Sequence, residues 1–94
     1  VVESAGYCPP GEAGEYFKSC WDRDNNILRL NGKTLVNTNG GGLAHGRAGG
    51  ANLYAEAVRQ LRGSEGERQV PGASTALGGI GSFFHDPTAV MLRC

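Results

Sequence analysis

With 94 residues, zero formal net charge, 39% apolar residues and 7% aromatics, the chain allows one small domain with little bulk for a self-sufficient core. It has no basic cluster of the kind that marks a phosphate-backbone partner. No apolar run approaches the ~18 residues of a membrane span.

Glycine supplies 16 of the 94 residues, more than twice the usual share. Cys8, Cys20 and Cys94 are odd in number and show no Cys-x-x-Cys or Cys/His ligand spacing. They read as free thiols of a reducing compartment rather than a disulfide framework. No cationic stretch followed by an apolar one opens the chain, so no signal peptide is expected. A chain beginning with Val is expected to be a processed or partial product.

In chain order, Pro9 and Pro10 bar a regular helix and hold Cys8 extended. Glu12–Cys20 allows one or two helical turns with Tyr16, Phe17 and Cys20 inward. Asp22, Asp24, Asn25 and Asn26 form a turn cluster. Its Asp-x-Asp-x-Asn spacing is not a calcium loop, because Ile27 and Lys33 stand where Gly and Glu are required. Ile27, Leu28 and Leu30 form a short extended run, and Asn31-Gly32 signals a hairpin turn. Thr34–Thr38 reads as a strand entering the stretch Leu35–Gly50, in which six glycines fall between positions 40 and 50. Flanked by ordered elements, this stretch is expected to be a binding or catalytic loop rather than a tether.

The loop opens a helix over Ala51–Leu61, with Leu53, Ala57, Val58 and Leu61 on one face. Glu56, Arg59 and Arg62 lie on the other, where Glu56 can pair with Gln60 or Arg59. Gly63 is placed to end the helix. Ser64–Gln69 reads as exposed, Val70–Leu77 as a strand of small residues, and Gly78–Ser82 as a second glycine loop. Phe83–Pro87 reads as a turn, and Thr88–Leu92 as a strand buried on both faces. This order predicts an α/β class, with a mixed sheet covered by the helix.

Generic phosphate motifs fail. Gly41 and Gly46 have P-loop spacing, but Arg47 and Ala48 replace Lys and the hydroxyl residue. A dinucleotide fingerprint beginning at Gly40 and Gly42 meets His45 where glycine is needed. The loop can still offer amides and a helix dipole to an anion.

Asn37-x-x-Gly40-Gly41-x-x-x-x-Gly46-x-x-x-Gly50 resembles a C-terminal signature of the thiolase superfamily, Asn-x-x-Gly-Gly, four residues, then Gly-His-Pro-x-Gly. Glu56-Ala57-Val58-Arg59-Gln60-Leu61-Arg62-Gly63 looks like the corresponding helix end of lipid-transfer-protein-type thiolases. Val70-Pro71-Gly72-Ala73, the glycines at 78–81 and the closing strand fit the same tail. Pro10-Gly11-Glu12 with Tyr16-Phe17 is a looser match.

The resemblance implies a partial thiolase-like fold over residues 1–94, lacking the N-terminal half that carries the nucleophilic cysteine. The implied substrate is a coenzyme A thioester, with no further cofactor. The signature's histidine falls on Arg47 and its proline on Ala48. The family's second reactive cysteine has no counterpart, since no Cys lies between positions 21 and 93. Arg47 cannot act as a base, but its guanidinium can hold an oxyanion or a carboxylate or phosphate of the substrate.

The catalytic candidates are therefore Arg47 and His45, the latter titratable near neutrality. A surface arginine and an ordinary loop histidine are the alternatives. Asn37, Gly40, Gly41, Gly42, Gly79 and Gly81 are the substrate-binding candidates, Asn37 more as a tie for the loop backbone. His85 beside Asp86 reads as a turn, and Tyr54 as core.

Two functions follow from the resemblance. One is an acyl-CoA C–C bond-forming or bond-cleaving protein, either an acyltransferase or a divergent retro-aldol lyase, inactive as this chain alone. The other is a non-catalytic module for binding or assembly. A cytoplasmic location, a homo-oligomer and an OB-fold partner are the accompanying expectations.

Overall fold

The structure is a computed structural model that describes residues 2–42, 46, 48–82 and 85–94, with the backbone alone for 80–82 and 85–87. Its elements are α1 (Ala13–Cys20), β1 (Trp21–Asp22), β2 (Ile27–Leu30), β3 (Thr34–Val36), α2 (Ala51–Leu61), a 3-10 turn (Gly66–Arg68), β4 (Thr75–Ser82) and β5 (His85–Arg93). They form two compact units, Val1–Asn37 and Thr38–Cys94.

In the first unit, β1, β2 and β3 make an antiparallel meander. Asp22 Oδ1 accepts the N–H groups of Asp24 and Asn25 at 3.1 and 3.2 Å, and Asn25 Nδ2 donates to Oδ2 at 2.8 Å. These bonds, the Asn25 side chain first, hold the Asp22 carboxyl below its usual pKa. The next turn is set by Asn31 and Gly32, both left-handed at φ 50° and 69°, as a mirror-image hairpin turn requires. Lys33 N–H closes it on the Leu30 carbonyl at 3.0 Å.

Helix α1 lies on β2. Tyr16, Phe17 and Cys20 are half-buried at helical spacing, as expected from the sequence, and Ala13 joins them. The Tyr16 hydroxyl donates to Asn31 Oδ1 at 2.8 Å and accepts Asn31 N–H at 3.2 Å, pinning the helix to the turn. Leu30 is the one buried hydrophobic among the described residues.

In the second unit, β4 and β5 form an antiparallel hairpin from Thr75↔Arg93 to Ser82↔His85, with an irregularity between Ile80 and Ser82. Helix α2 packs on both strands. At its C-terminus the chain turns left-handed at Gly63 (φ 70°). Gly63 N–H bonds the Gln60 carbonyl at 3.2 Å and Ser64 N–H the Arg59 carbonyl at 3.0 Å, the paired bonds of a Schellman stop. The predicted end of this helix is thus confirmed.

The α/β class holds, with four corrections. The strands divide between two antiparallel sheets and do not share one. The second glycine stretch is not a loop. Gly78 and Gly79 pair with Val90 and Ala89 inside β4, because the ladder satisfies their backbones as any strand residue's. Residues 85–87 open β5 and not a turn, and the expected strand 88–92 is half-buried or exposed. A two-stranded sheet with a helix on one side leaves the other face open, so Leu77 and Met91, cross-strand partners, are exposed. Last, 64–69 is not uniformly exposed, since Glu65 is buried.

The helix meets the sheet where the Tyr54 ring covers Gly78. A β-carbon at position 78 would stand 2.6 Å from Tyr54 Cε1. Gly78→Ala should therefore destabilise the protein by about 1–3 kcal/mol, the usual cost of overpacking, read as a lower urea midpoint with an unchanged slope. Unchanged stability would show that the ring swings aside freely.

Candidate functional site

The glycine loop begins where β3 ends. Asn37 is exposed and left-handed at φ 52°. Gly40 and Gly41 follow at φ 79° and 90°. Glycine takes these angles at no steric cost, so the loop's course is written in the backbone. Asn39 Oδ1 accepts Gly41 N–H at 3.0 Å and fixes the bend. The Asn39 Nδ2 donor is enclosed and has no partner among the described residues. Gly42 differs from its neighbours. Its φ is not left-handed, and no described atom lies within 4 Å of where its β-carbon would be.

Helix α2 begins at Gly50, left-handed at φ 86°, with no side-chain cap and no acidic residue in its first turn. Ala51 N–H bonds the Ala48 carbonyl and Leu53 N–H the Gly50 carbonyl, each at 3.0 Å. Those two amides are already engaged, which narrows the anion-binding surface expected from the sequence.

The sequence-derived candidates fall in three places. His45 and Arg47 lie outside the described residues. Asn37 and Gly40–Gly42 form the loop's entry. Gly79 and Gly81 sit within β4, one step and three steps beyond the Gly78 that Tyr54 covers. The helix that the glycine loop opens thus packs onto the strand that carries the second glycine group. The Tyr54 hydroxyl on that helix is enclosed without a partner among the described residues.

At Thr38 the loop's start meets a polar cluster on α2, whose Glu56 the sequence places on the polar helix face and whose Arg68 it reads as exposed. Glu56 and Gln60 are buried at 7% and 6% exposure. Glu56 Oε1 accepts Thr38 Oγ1–H at 2.7 Å and Gln60 Nε2–H at 3.2 Å, and its Oε2 accepts Arg68 Nη2–H at 3.2 Å. Arg68 also bridges to Glu65, and Arg59 reaches Glu65 at 3.8 Å rather than Glu56.

Gln60 joins the cluster to the following chain. Its Nε2 donates to the Arg68 carbonyl at 2.7 Å, and its Oε1 accepts Val70 N–H at 2.8 Å. Gln69 Nε2 returns to the Gln60 carbonyl at 2.9 Å. The available signal was the four-residue spacing of Glu56 and Gln60. A helix pair normally reads as exposed, and only the fold of 64–70 over it reveals the burial.

Burial pushes the Glu56 carboxyl toward protonation. The bonds from Thr38, Arg68 and Gln60, with the arginine charge, outweigh that and hold its pKa below the ordinary 4.5.

The comparisons with known proteins fit this architecture. A family model described as "Thiolase C-terminal domain-like" matches residues 1–93. The chain belongs to that family. It is 40% identical over 80 residues to sterol carrier protein 2 of Rattus norvegicus, spanning 82% of this chain and 14% of that protein. It is 38% identical over 80 residues to an acetyl-CoA acetyltransferase of Methanothermobacter thermautotrophicus, spanning 82% of this chain and 19% of that one. It is 35% identical over 63 residues to the 17-hydroxy-3-oxo-4-pregnene-20-carboxyl-CoA lyase of Mycobacterium tuberculosis, 67% of this chain and 15% of that one. The chain thus spans less than a fifth of each of these relatives. No solved structure matches at the same significance. Two helices with two small antiparallel sheets constitute a partial thiolase-like fold.

Two outcomes follow. A carboxylate whose folded pKa is lowered stabilises the protein fully above its unfolded pKa, and that contribution is lost as the pH falls through the folded value. Denaturation midpoints should therefore fall below about pH 4.3, and Glu56→Gln should flatten that dependence while lowering stability at pH 7. In the loop, Gly40→Ala should cost about 1–2 kcal/mol through left-handed strain, whereas Gly42→Ala should leave the melting temperature unchanged. Equal losses at the two positions would refute the distinction.

Proposed function

We propose that this chain is the C-terminal portion of a thiolase-like protein that makes or breaks a carbon–carbon bond beside a coenzyme A thioester, and that its reaction is retro-aldol cleavage. The carrying observation is the loop entry. The successive left-handed glycines Gly40 and Gly41 lie in the family's signature, at the loop that leads into α2. In that signature the histidine falls on Arg47, and positions 21–93 hold no cysteine. The mycobacterial relative, a CoA lyase by name, supports cleavage over acyl transfer, because cleavage needs no second cysteine.

In this reading the substrate is a 3-hydroxyacyl-CoA. His45 takes the hydroxyl proton and the bond between the α and β carbons breaks. The β carbon becomes a carbonyl, and the bonding electrons pass to the thioester as an enolate. Arg47 holds the enolate oxygen, and protonation of the α carbon gives the shortened acyl-CoA. Asn37 ties the loop backbone. Gly40, Gly41 and Gly42, with Gly79 and Gly81, give the thioester close backbone approach. The nucleophilic cysteine of acyl-transferring relatives belongs to the N-terminal half. A cytoplasmic location, a homo-oligomer and an OB-fold partner complete the proposal.

The test uses the complete protein and a 3-hydroxyacyl-CoA, following release of the carbonyl product. Arg47→Ala should lower turnover about 10²–10³-fold, the usual loss for one oxyanion donor, and His85→Ala much less. His45→Ala should remove the titration near pH 6–7 from the rate profile. Thiolysis of a 3-ketoacyl-CoA without cleavage of the hydroxy ester would reverse the choice of reaction. Unchanged kcat and KM in Arg47→Ala would refute the role of Arg47.

A further inference from the structure

The buried carboxylate of Glu56 does more than balance Arg68. Of its hydrogen bonds, one leaves the cluster, to Thr38 Oγ1 at 2.7 Å. Thr38 stands between left-handed Asn37 and the Asn39–Gly41 bend, at the point where the glycine loop departs. The carboxylate is itself held from two sides, by Gln60 Nε2 at 3.2 Å and Arg68 Nη2 at 3.2 Å. Gln60 is in turn locked to the backbone of residues 68 and 70. The result is a relay from the segment after α2, through one buried carboxylate, to the first turn of the loop.

We propose that Glu56 is a positioning residue for the glycine loop, acting through the Thr38 hydroxyl. It touches no substrate. It sets the backbone of residues 38–41, from which the loop's amides and glycines are presented. The catalytic consequence, though not the positioning itself, rests on the thiolase-like reading above.

The experiment uses the complete protein with Glu56→Gln, Thr38→Val, Thr38→Ser and the Glu56→Gln/Thr38→Val pair. Because Glu56→Gln removes one of the two carboxylates that Arg68 pairs with and can unfold the region, Thr38→Val, which leaves the cluster's other bonds intact, decides the matter. Amide hydrogen exchange is read at residues 38–42 and at the centre of α2. Thr38→Val is expected to speed loop exchange about tenfold, as loss of a charge-assisted hydrogen bond implies, with α2 unchanged. Thr38→Ser keeps the hydroxyl and should behave as the parent. The double variant should exchange in the loop no faster than the faster single one.

Parent-like loop exchange in Thr38→Val, or an additive double variant, overturns the proposal. In the same samples, cleavage of a 3-hydroxyacyl-CoA should show kcat lowered in step with loop exchange while KM stays near the parent's. If loop exchange responds and the parent itself has no such activity, the positioning stands and the proposed reaction fails.

Discussion

The second unit depends on a carboxylate that is almost wholly withdrawn from water. Glu56 sits on the side of α2 that a helical plot assigns to solvent, and the chain from Ser64 to Val70 folds back over it. Removing a carboxylate from water costs several kcal/mol, repaid only when the geometry is good and the remaining lone pairs are met. Here three side chains meet them, and Arg68 supplies the compensating charge. A hydrophobic plug could stabilise as well. It could not fix the direction in which the chain runs from Thr38, because apolar contacts carry no direction. The polar cluster therefore reads as a device for one geometry more than for stability.

The lack of apolar bulk makes that device necessary. A chain with 7% aromatics and 16 glycines cannot hold a loop by packing alone. In the first unit the same shortage is met in the same manner, with Tyr16 and Asn31 exchanging two hydrogen bonds across the helix and the hairpin turn. Both units place a directional polar contact where a larger domain would place a leucine.

Local signals in the sequence were legible where the physics is local. Asn31-Gly32 set the mirror-image turn, Gly63 stopped α2, and the spacing of Tyr16, Phe17 and Cys20 gave the inner face of α1. The family signature was legible for the same reason, since glycines at fixed spacing record backbone angles directly. What failed was non-local. Whether Gly78 and Gly79 form a loop or a strand depends on partners, Val90 and Ala89, that lie well beyond them in the chain. Glu56 looked exposed because nothing within one helical turn shows what will cover it. Thr38 and Arg68 went unnoticed, because a hydroxyl and a guanidinium carry no positional signature until a third group brings them together.

The seat of Tyr54 over Gly78 bears on how the hairpin avoids misalignment. In β4, side chains alternate between the helix and the open face, and Leu77 stands next to the one position that Tyr54 occupies. Sliding β4 by one residue to bring Leu77 under the ring meets a side chain where even a methyl group does not fit. Sliding it the other way presents Gly79, which has no side chain to object, and turns Leu77 from water toward the helix. The two errors are therefore unequal: steric exclusion at the Tyr54 ring forbids one, and the other, which moves an exposed leucine out of water, meets no such barrier at that contact. A proofreading contact of this kind works in one direction, so any misregistered population of this hairpin should be displaced toward Gly79.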